Sequence, residues 1–464
     1  MTTMGNGDLR ALQGAMAGAV LEPGNAGFDE ARSLWNGEFD FRPAVIARCE
    51  SRDDVVAAVK FGRASGLETT IRGGGHSLSG ASACDGGLMI NLSRMNSVAV
   101  DPQRRRAVAR GGATWGEVDA ATQAHGLAVT GGIISHTGVG GLTLGGGMGW
   151  LVNRHGLSID NLESAEVVLA DGRTVRASAD EHPDLFWALR GGGGNFGVVT
   201  SFEYRLHPVG PEVHFGLFFW EIERGVEALS ACRRLIPALP ADSGALIAGA
   251  LTGEAEPFPV EHRGRTGHAL LVAGFGSAEQ HAAAIAPFRE ACPPLFEVVT
   301  PIPYTALQHL LDDTSPWGIH DYDKSLAVAD LTDDVIGVLT ERATAKASPM
   351  SFMPIFPLQG AFAAVGDDDT AFSLRRTPQY LVDVVALSPD PAVCATDRTW
   401  ARSIWDTLRP LADNPGGYIN FFSEQDDDRV RAGFGPKKYD RLVQVKVTYD
   451  PGNLFHHNAN IKPG

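Results

Sequence analysis

"TTIRGGGHSLSGASACDGG", residues 69–87, ends a β-rich run with three consecutive glycines followed by a single histidine. Three glycines leave the backbone free to take positive φ and to approach a bound group without Cβ clashes. Successive N–H groups in such a loop make an anion-binding concavity, and His76 places a nucleophilic ring nitrogen at its edge. Three further loops repeat the texture: RGGAT (110–114), TGGIISHTGVGGLTLGGGMGWL (130–151) and RGGGGNFGVV (190–199). Glycine supplies 55 of 464 residues, about 12% against a usual ~7%, and the excess falls in the first 200 positions. Four such loops predict one concave nest of backbone N–H groups suited to a pyrophosphate. The nest is not a Rossmann fingerprint, because no G-x-G-x-x-G sits between a strand and a helix with an acid about 20 residues on.

Strand-forming runs lie between the loops, and SRDDVVAAVKFGRASG (51–66) predicts an amphipathic helix with a capping residue, an acidic first turn and a glycine stop. After RLHPVGP (205–211) the glycine clusters vanish. Long strands such as VHFGLFFWEI (213–222), HALLVAGFG (268–276) and QYLVDVVAL (379–387) alternate with helical runs. That pattern predicts an antiparallel sheet with helices on one face. From about 415 the chain is again rich in asparagine and glycine, which predicts a tail that returns to the first domain.

Composition bounds the partners. A net charge of −16 with one basic run, PQRRRAVAR (102–110), excludes a phosphate-neutralising stripe, so no nucleic acid is expected. No apolar run reaches the length of about 18 residues that a membrane span needs, and the N-terminus lacks the basic and apolar regions of a signal peptide. Five scattered cysteines without C-x-x-C spacing support neither a disulfide framework nor a metal site. A cytoplasmic protein is the expectation. The oligomeric state is not legible.

The motifs IRGGGHSLSG, VTGGIISHTGVGGLTLGGGMGWLVNRHGLSIDNLESAEVVLADG, HPDLFWALRGGGGNFGVVTSFEYRLHPV and YDRLVQVKVTYDPGNLFHHNANIKP, in this order, resemble the FAD-linked oxidases of the vanillyl-alcohol-oxidase/PCMH superfamily. They are most similar to its berberine-bridge-enzyme-like branch, in the bacterial group of 6-hydroxy-D-nicotine oxidase and the enterocin-pathway flavoenzyme. The resemblance implies an α+β, two-domain PCMH-type fold: an FAD-binding domain over 1–210, a substrate domain over 211–414, and a C-terminal segment, 415–464, returning to the first. It implies FAD bonded through His76, with Arg72, Gly73, Gly74, Gly75, Ser77, Leu78, Ser79 and Gly80 forming the pyrophosphate loop. Thr137, Gly138, Gly140 and Gly141 would run along the isoalloxazine, flanked by Gly131 and Gly147. Gly197, Val198 and Val199 would lie near the adenine side, and Asn458 and Asn460 near the flavin ring. Relatives with a second link carry a cysteine in C-P-x-V-G-x-G-G; here Ile134 aligns with that cysteine and Leu142 with a histidine, so His76 is expected to be the only attachment.

For the substrate side, period-2 alternation in the strand within 348–372 puts Met353, Ile355, Pro357 and Gln359 on one face and Phe352, Phe356 and Leu358 on the other, either of which makes a mostly apolar wall. Met353, Ile355 and Gln359 are the candidates, with Trp150, Tyr304, Trp317, His320 and Tyr322. The expected activity is removal of a hydride from a C–H bond of a small aromatic, polyketide or alkaloid-like molecule, with O2 reoxidising the flavin. Two alternatives stand: oxygenation through a flavin N5-oxide, and a non-catalytic flavoprotein that binds a natural product. Many relatives carry a catalytic tyrosine where YINFF (418–422) has Phe421. As a regular strand this stretch would put Tyr418, Asn420 and Phe422 on one face and Phe421 on the other. The candidate catalytic set is therefore Thr137, Leu142, Tyr418, Asn420 and Phe421.

Overall fold

The computed structural model describes residues 6–424 and 427–464. The fold is α+β. Near the N-terminus, strands Val45–Arg48, Leu88–Asn91 and Thr69–Arg72 run parallel, with Ala19–Leu21 antiparallel at the edge. Val45–Arg48 and Thr69–Arg72, parallel strands on either side of Leu88–Asn91, need a crossover connection, which the helix Arg52–Ser65 supplies. Ser51 and Asp54 form its capping box, and Gly66 ends it in the left-handed region. The strand Thr69–Arg72 thus delivers the chain directly into the Gly73–His76 turn.

A second sheet of five antiparallel strands includes Arg106–Arg110, Val198–Arg205 and Leu162–Val168 as neighbours. The glycine loops at 110–114 and 190–197 are the turns that precede or follow these strands, which brings them to one edge. The basic run lies in the hairpin Val98–Asp101/Arg106–Arg110.

Residues 212–388 form a seven-stranded antiparallel sheet in the order 296–303, 212–221, 266–274, 243–252, 353–358, 379–388, 320–328. Helices Gly225–Leu235, Ala278–Ala291, Asp333–Glu341 and Pro391–Leu408 bury one face with Trp220, Ile247, Met353, Ile355 and Val382. The opposite face packs Phe356, Leu381 and Leu246 against Trp150, Leu151 and Tyr418. Alternation along each strand therefore decides which side chains meet the helices and which meet the glycine-rich part.

The C-terminal helix Asp427–Tyr449 is kinked at Gly435 (φ 71°), just before Pro436. Beyond it the tail is pinned by Lys446, whose Nζ donates to Asn195 O, Asp450 Oδ2 and Phe455 O at 2.7–2.9 Å, with both charged side chains fully buried. Asn195 completes the pin by donating to Ala459 O and accepting from Ile461 N–H.

Candidate active site

The glycine loops, the tail and the sheet face enclose one cavity of about 410 Å³. Gly73 to Ser79 line it, with Thr137, Gly138, Gly140, Gly141 and Leu142, then Gly197, Val198, Val199 and Asn458. Close approach explains two of the glycines. A Cβ on Gly138 would stand 2.4 Å from Gly74 N, and one on Gly74 would meet Gly138 at the same distance, so the two loops touch through backbone alone. Gly141 faces open space, and Asn458 Oδ1 is buried without a partner.

His76 sits between rings. Trp35 stacks on it at 5.0 Å, and Trp317 stands edge-on at 5.6 Å. Its Nε2 lies 2.7 Å from Nδ1 of His136, so the two rings share a proton. Burial, and then the neighbouring His136 and Arg72, hold His76 well below the usual histidine range. Burial likewise lowers His136. Both rings are neutral near pH 7.

Across the cavity wall formed by the sheet, Phe352, Pro354, Phe356, Val385 and Leu387 give an apolar surface. Within it stand three carboxyls that the sequence reading missed: Asp321, Asp323 and Asp383, all buried and all lining the cavity. Asp321 Oδ1 and Asp323 Oδ1 have no hydrogen-bond partner. Burial pushes Asp323 up to about 7 and, aided by the neighbouring carboxylates, pushes Asp321 and Asp383 well above the carboxylate range. The cluster therefore keeps protons at pH values where ordinary carboxylates have lost them, and Asp323 is the member poised near neutrality.

The 418–422 stretch is a 3₁₀ turn over Ile419–Phe421, not the regular strand expected. The turn brings Tyr418 and Phe421 together instead of separating them. Tyr418 Oη accepts from Gly147 N–H at 2.9 Å and from Asn420 Nδ2 at 2.7 Å, and Asn420 Nδ2 also donates to Leu142 O at 3.0 Å. Burial raises the Tyr418 phenol.

Several expected site residues lie elsewhere. Trp150 is a core tryptophan, 3% exposed, packed in the layer between sheet and loops. Met353 and Ile355 face the helices, because the strand's alternate residues Phe352, Pro354 and Phe356 face the cavity. Gln359 Nε2 donates to Ile236 O. Tyr304 is wholly buried at the start of a helix. His320 Nδ1 pairs with Glu38, and Tyr322 Oη accepts from Arg402 Nε. Trp317 touches His76 yet is 45% exposed and not part of the cavity wall. Among the glycines, Gly80 packs on Phe39, Gly131 on Trp115 and Gly147 on Ser158. Arg72 braces the turn by donating to Ser33 O and Gly73 O, and Asn460 is also off the wall.

Comparison with known proteins agrees with this architecture. Residues 43–178 match an FAD binding domain family, and residues 417–462 match the family "Berberine and berberine like". An FAD-linked oxidoreductase of Aspergillus terreus is 30% identical, over 98% of this chain and 96% of its own. The chain belongs to the berberine-bridge-enzyme-like FAD-linked oxidoreductases. It is thus an FAD-dependent oxidoreductase. The (R)-6-hydroxynicotine oxidase of Paenarthrobacter nicotinovorans is 29% identical over 97% of each chain. The crystal structure of 6-hydroxy-D-nicotine oxidase from Arthrobacter nicotinovorans covers 97% of this chain and 98% of its own, with a TM-score of 0.85 and 26% identity. Glucooligosaccharide oxidase from Acremonium strictum, whose flavin is 6-S-cysteinyl and 8α-N1-histidyl, is 25% identical, covering 98% of this chain and 99% of its own at a TM-score of 0.84.

The residues present fit a flavin dinucleotide. Two backbones in contact at Gly74 and Gly138, the open space over Gly141 and the orphaned Asn458 amide oxygen describe a cradle that a Cβ would fill and that lacks a donor from a ligand. No helix among the described residues is long and apolar enough to cross a membrane.

Proposed function

We propose that this enzyme is an oxidase acting on a small aromatic, polyketide or alkaloid-like molecule, with FAD attached through His76 alone. The observation that carries the reading is the buried carboxyl cluster opening into the same cavity as the glycine turn. When bound, FAD supplies the two-electron acceptor for a hydride leaving a substrate C–H bond, with O2 as the terminal oxidant.

The chain's own residues divide the remaining work. Gly73–Gly75 present backbone N–H groups to a pyrophosphate, with Gly138, Gly140 and Val198 beside them. Asn458 accepts from the cofactor, and Thr137 with Leu142 borders the reacting face. Phe352, Phe356 and Phe421 exclude water from the substrate volume, which strengthens every charge interaction inside it. The Asp321–Asp323–Asp383 cluster accepts the proton that the substrate gives up, the task left open by Phe421. Tyr418 and Asn420 position the turn, since the phenol oxygen is occupied by two donors.

Single attachment is supported by the cysteines. All five are buried and none lines the cavity, where Ile134 does. Acid-denatured protein should remain yellow, and His76→Ala should release its FAD on denaturation. For the activity, anaerobic addition of a candidate phenol, enolisable dicarbonyl or cyclic amine should bleach the visible flavin band. Reaction in isotopically labelled O2 should then give labelled peroxide and unlabelled product. Label in the product would replace this reading with the oxygenase.

A further inference from the structure

We infer that Glu68, His456 and His457 form a binding site for a divalent transition metal of the zinc class, which clips the tail to the strand feeding the Gly73–His76 turn. The Nε2 atoms of His456 and His457 lie 2.6 and 3.0 Å from the same carboxylate oxygen, Oε2 of Glu68. The three donor atoms lie within 4.8 Å of one another. The ligands are imidazole and carboxylate alone, so the cysteine spacing is silent about them.

The tautomer of His456 calls for a cation at this point. Its Nδ1 stands 2.7 Å from the carbonyl oxygen of Asn453, and a carbonyl only accepts, so Nδ1 carries the hydrogen. In the neutral ring Nε2 then presents a lone pair to a carboxylate oxygen 2.6 Å away. Either a proton or a metal ion must lie between two such acceptors. A backbone carbonyl that holds the far N–H of a histidine is also the arrangement that orients metal-ligating imidazoles. The second imidazole on the same oxygen favours the metal, because one ion joins all three ligands and one proton joins two.

The backbones at the site are fixed, and the side chains can adjust. Phe455, next to His456, is buried, its N–H donating to Asp450 and its carbonyl accepting from Lys446, each at 2.9 Å. Glu68 O accepts from Leu88 N–H at 2.7 Å, while the Glu68 side chain is exposed. With bonds of about 2.0–2.2 Å the donors around a tetrahedral zinc stand about 3.3 Å apart, so the Glu68 carboxylate has to back away by less than about 1 Å. Two imidazoles and a carboxylate suit Zn2+, Ni2+ or Cu2+, whereas Ca2+ and Mg2+ take oxygen ligands.

The ion joins two parts of the cofactor cradle that are distant in sequence. Glu68 immediately precedes the strand Thr69–Arg72, and His457 lines the cavity beside Asn458. Its role is structural, and it stands apart from the attachment at His76 and from the chemistry of the substrate.

The test uses full-length, untagged protein with its flavin, stripped with EDTA and then titrated with ZnCl2. Calorimetry should show one Zn2+ per chain, and Tm should rise with Zn2+ concentration, since an ion that binds only the folded chain stabilises it by mass action. Mg2+ and Ca2+ should do neither. His456→Asn, His457→Asn and Glu68→Gln should each weaken Zn2+ binding by at least about tenfold, the least that losing even an outer-shell partner does. Glu68→His separates a metal site from a simple ion pair: it removes the negative charge but offers a third imidazole, so it should recover the affinity lost in Glu68→Gln.

Absence of Zn2+ binding in wild type overturns the inference, as does unchanged affinity in all three single variants. Equal stabilisation by Mg2+, or Zn2+ binding without a rise in Tm, also overturns it. Glu68→His binding no better than Glu68→Gln would leave the cluster as an ion pair.

Discussion

Tyr418 and Phe421 meet edge to face, with ring centroids 5.0 Å apart and planes at 81°. A strand would have put them on opposite faces; the 3₁₀ turn places both on the cavity wall, with Phe356 5.9 Å beyond Phe421. Tyr418 is the only hydroxyl in this turn, so its role decides whether the missing tyrosine at 421 has been replaced by its neighbour.

The geometry of its oxygen argues against that replacement. Two N–H donors occupy Tyr418 Oη, and burial disfavours its anion. Tyr418→Phe should leave turnover within about tenfold, since a positioned general base contributes roughly 10²- to 10⁴-fold. It should also lower stability by about 1–3 kcal/mol, because the Gly147 and Asn420 donors lose their acceptor. A loss of a hundredfold or more at unchanged flavin content would make Tyr418 the base.

Gly138→Ala tests the cradle. The new Cβ would stand 2.4 Å from Gly74 N, a backbone atom that cannot swing aside. Overpacking of this kind costs about 1–3 kcal/mol, and here the strain falls on the turn that carries His76. The expected result is purified protein with sharply reduced flavin. Gly141→Ala, with nothing within 4 Å of its added carbon, separates steric block of a ligand from damage to the fold: it should bind less FAD at unchanged apoprotein melting temperature.

The glycine loops were legible because their function is carried by backbone, and a run of glycines announces itself in any reading frame. The helix at 51–66 was legible from its cap and stop. The substrate wall was not, and the errors share one cause. HDYDKS offers the large polar residues His320 and Tyr322, but the cavity takes the other parity, Asp321 and Asp323. In SFMPIFP it takes Phe352, Pro354 and Phe356 instead of Met353 and Ile355. A one-residue choice of phase reverses every side chain of a strand. When both faces of a sheet are buried, under helices on one side and a cofactor domain on the other, hydrophobicity does not reveal the phase. Nor did the sequence mark His136, which matters only because the fold sets its ring against His76.

The tail is expected to be indispensable for the cofactor. Ending the chain after Asp450 removes Asn458 from the cavity wall and Phe455 from the core of the parallel-sheet layer, so flavin content should fall to background. A gentler probe is Lys446→Met. It leaves Asp450 buried without its cation, a loss of about 3–5 kcal/mol for a broken buried pair. Melting temperature and flavin content should fall together, and a variant with normal flavin content would show that the pin and the site are uncoupled.

The carboxyl cluster makes a prediction in pH. Asp323 is raised to about 7 in the folded protein, against about 3.9 for an unfolded aspartate. Between those values the folded chain binds more protons than the unfolded chain, so stability falls as pH rises through the window and levels off above it. Asp323→Asn should flatten that slope and be the more stable protein above about pH 7. Activity should move the opposite way. If the cluster takes the substrate proton, kcat/KM rises with pH to a plateau, with apparent pKa values that belong to the three coupled carboxyls together. Asp323→Asn and Asp383→Asn should each lower kcat/KM by roughly 10²- to 10⁴-fold while leaving the covalent flavin in place. Full activity in both variants, with an unchanged pH profile, would remove the cluster from the chemistry and leave it as a buried polar feature of the pocket wall.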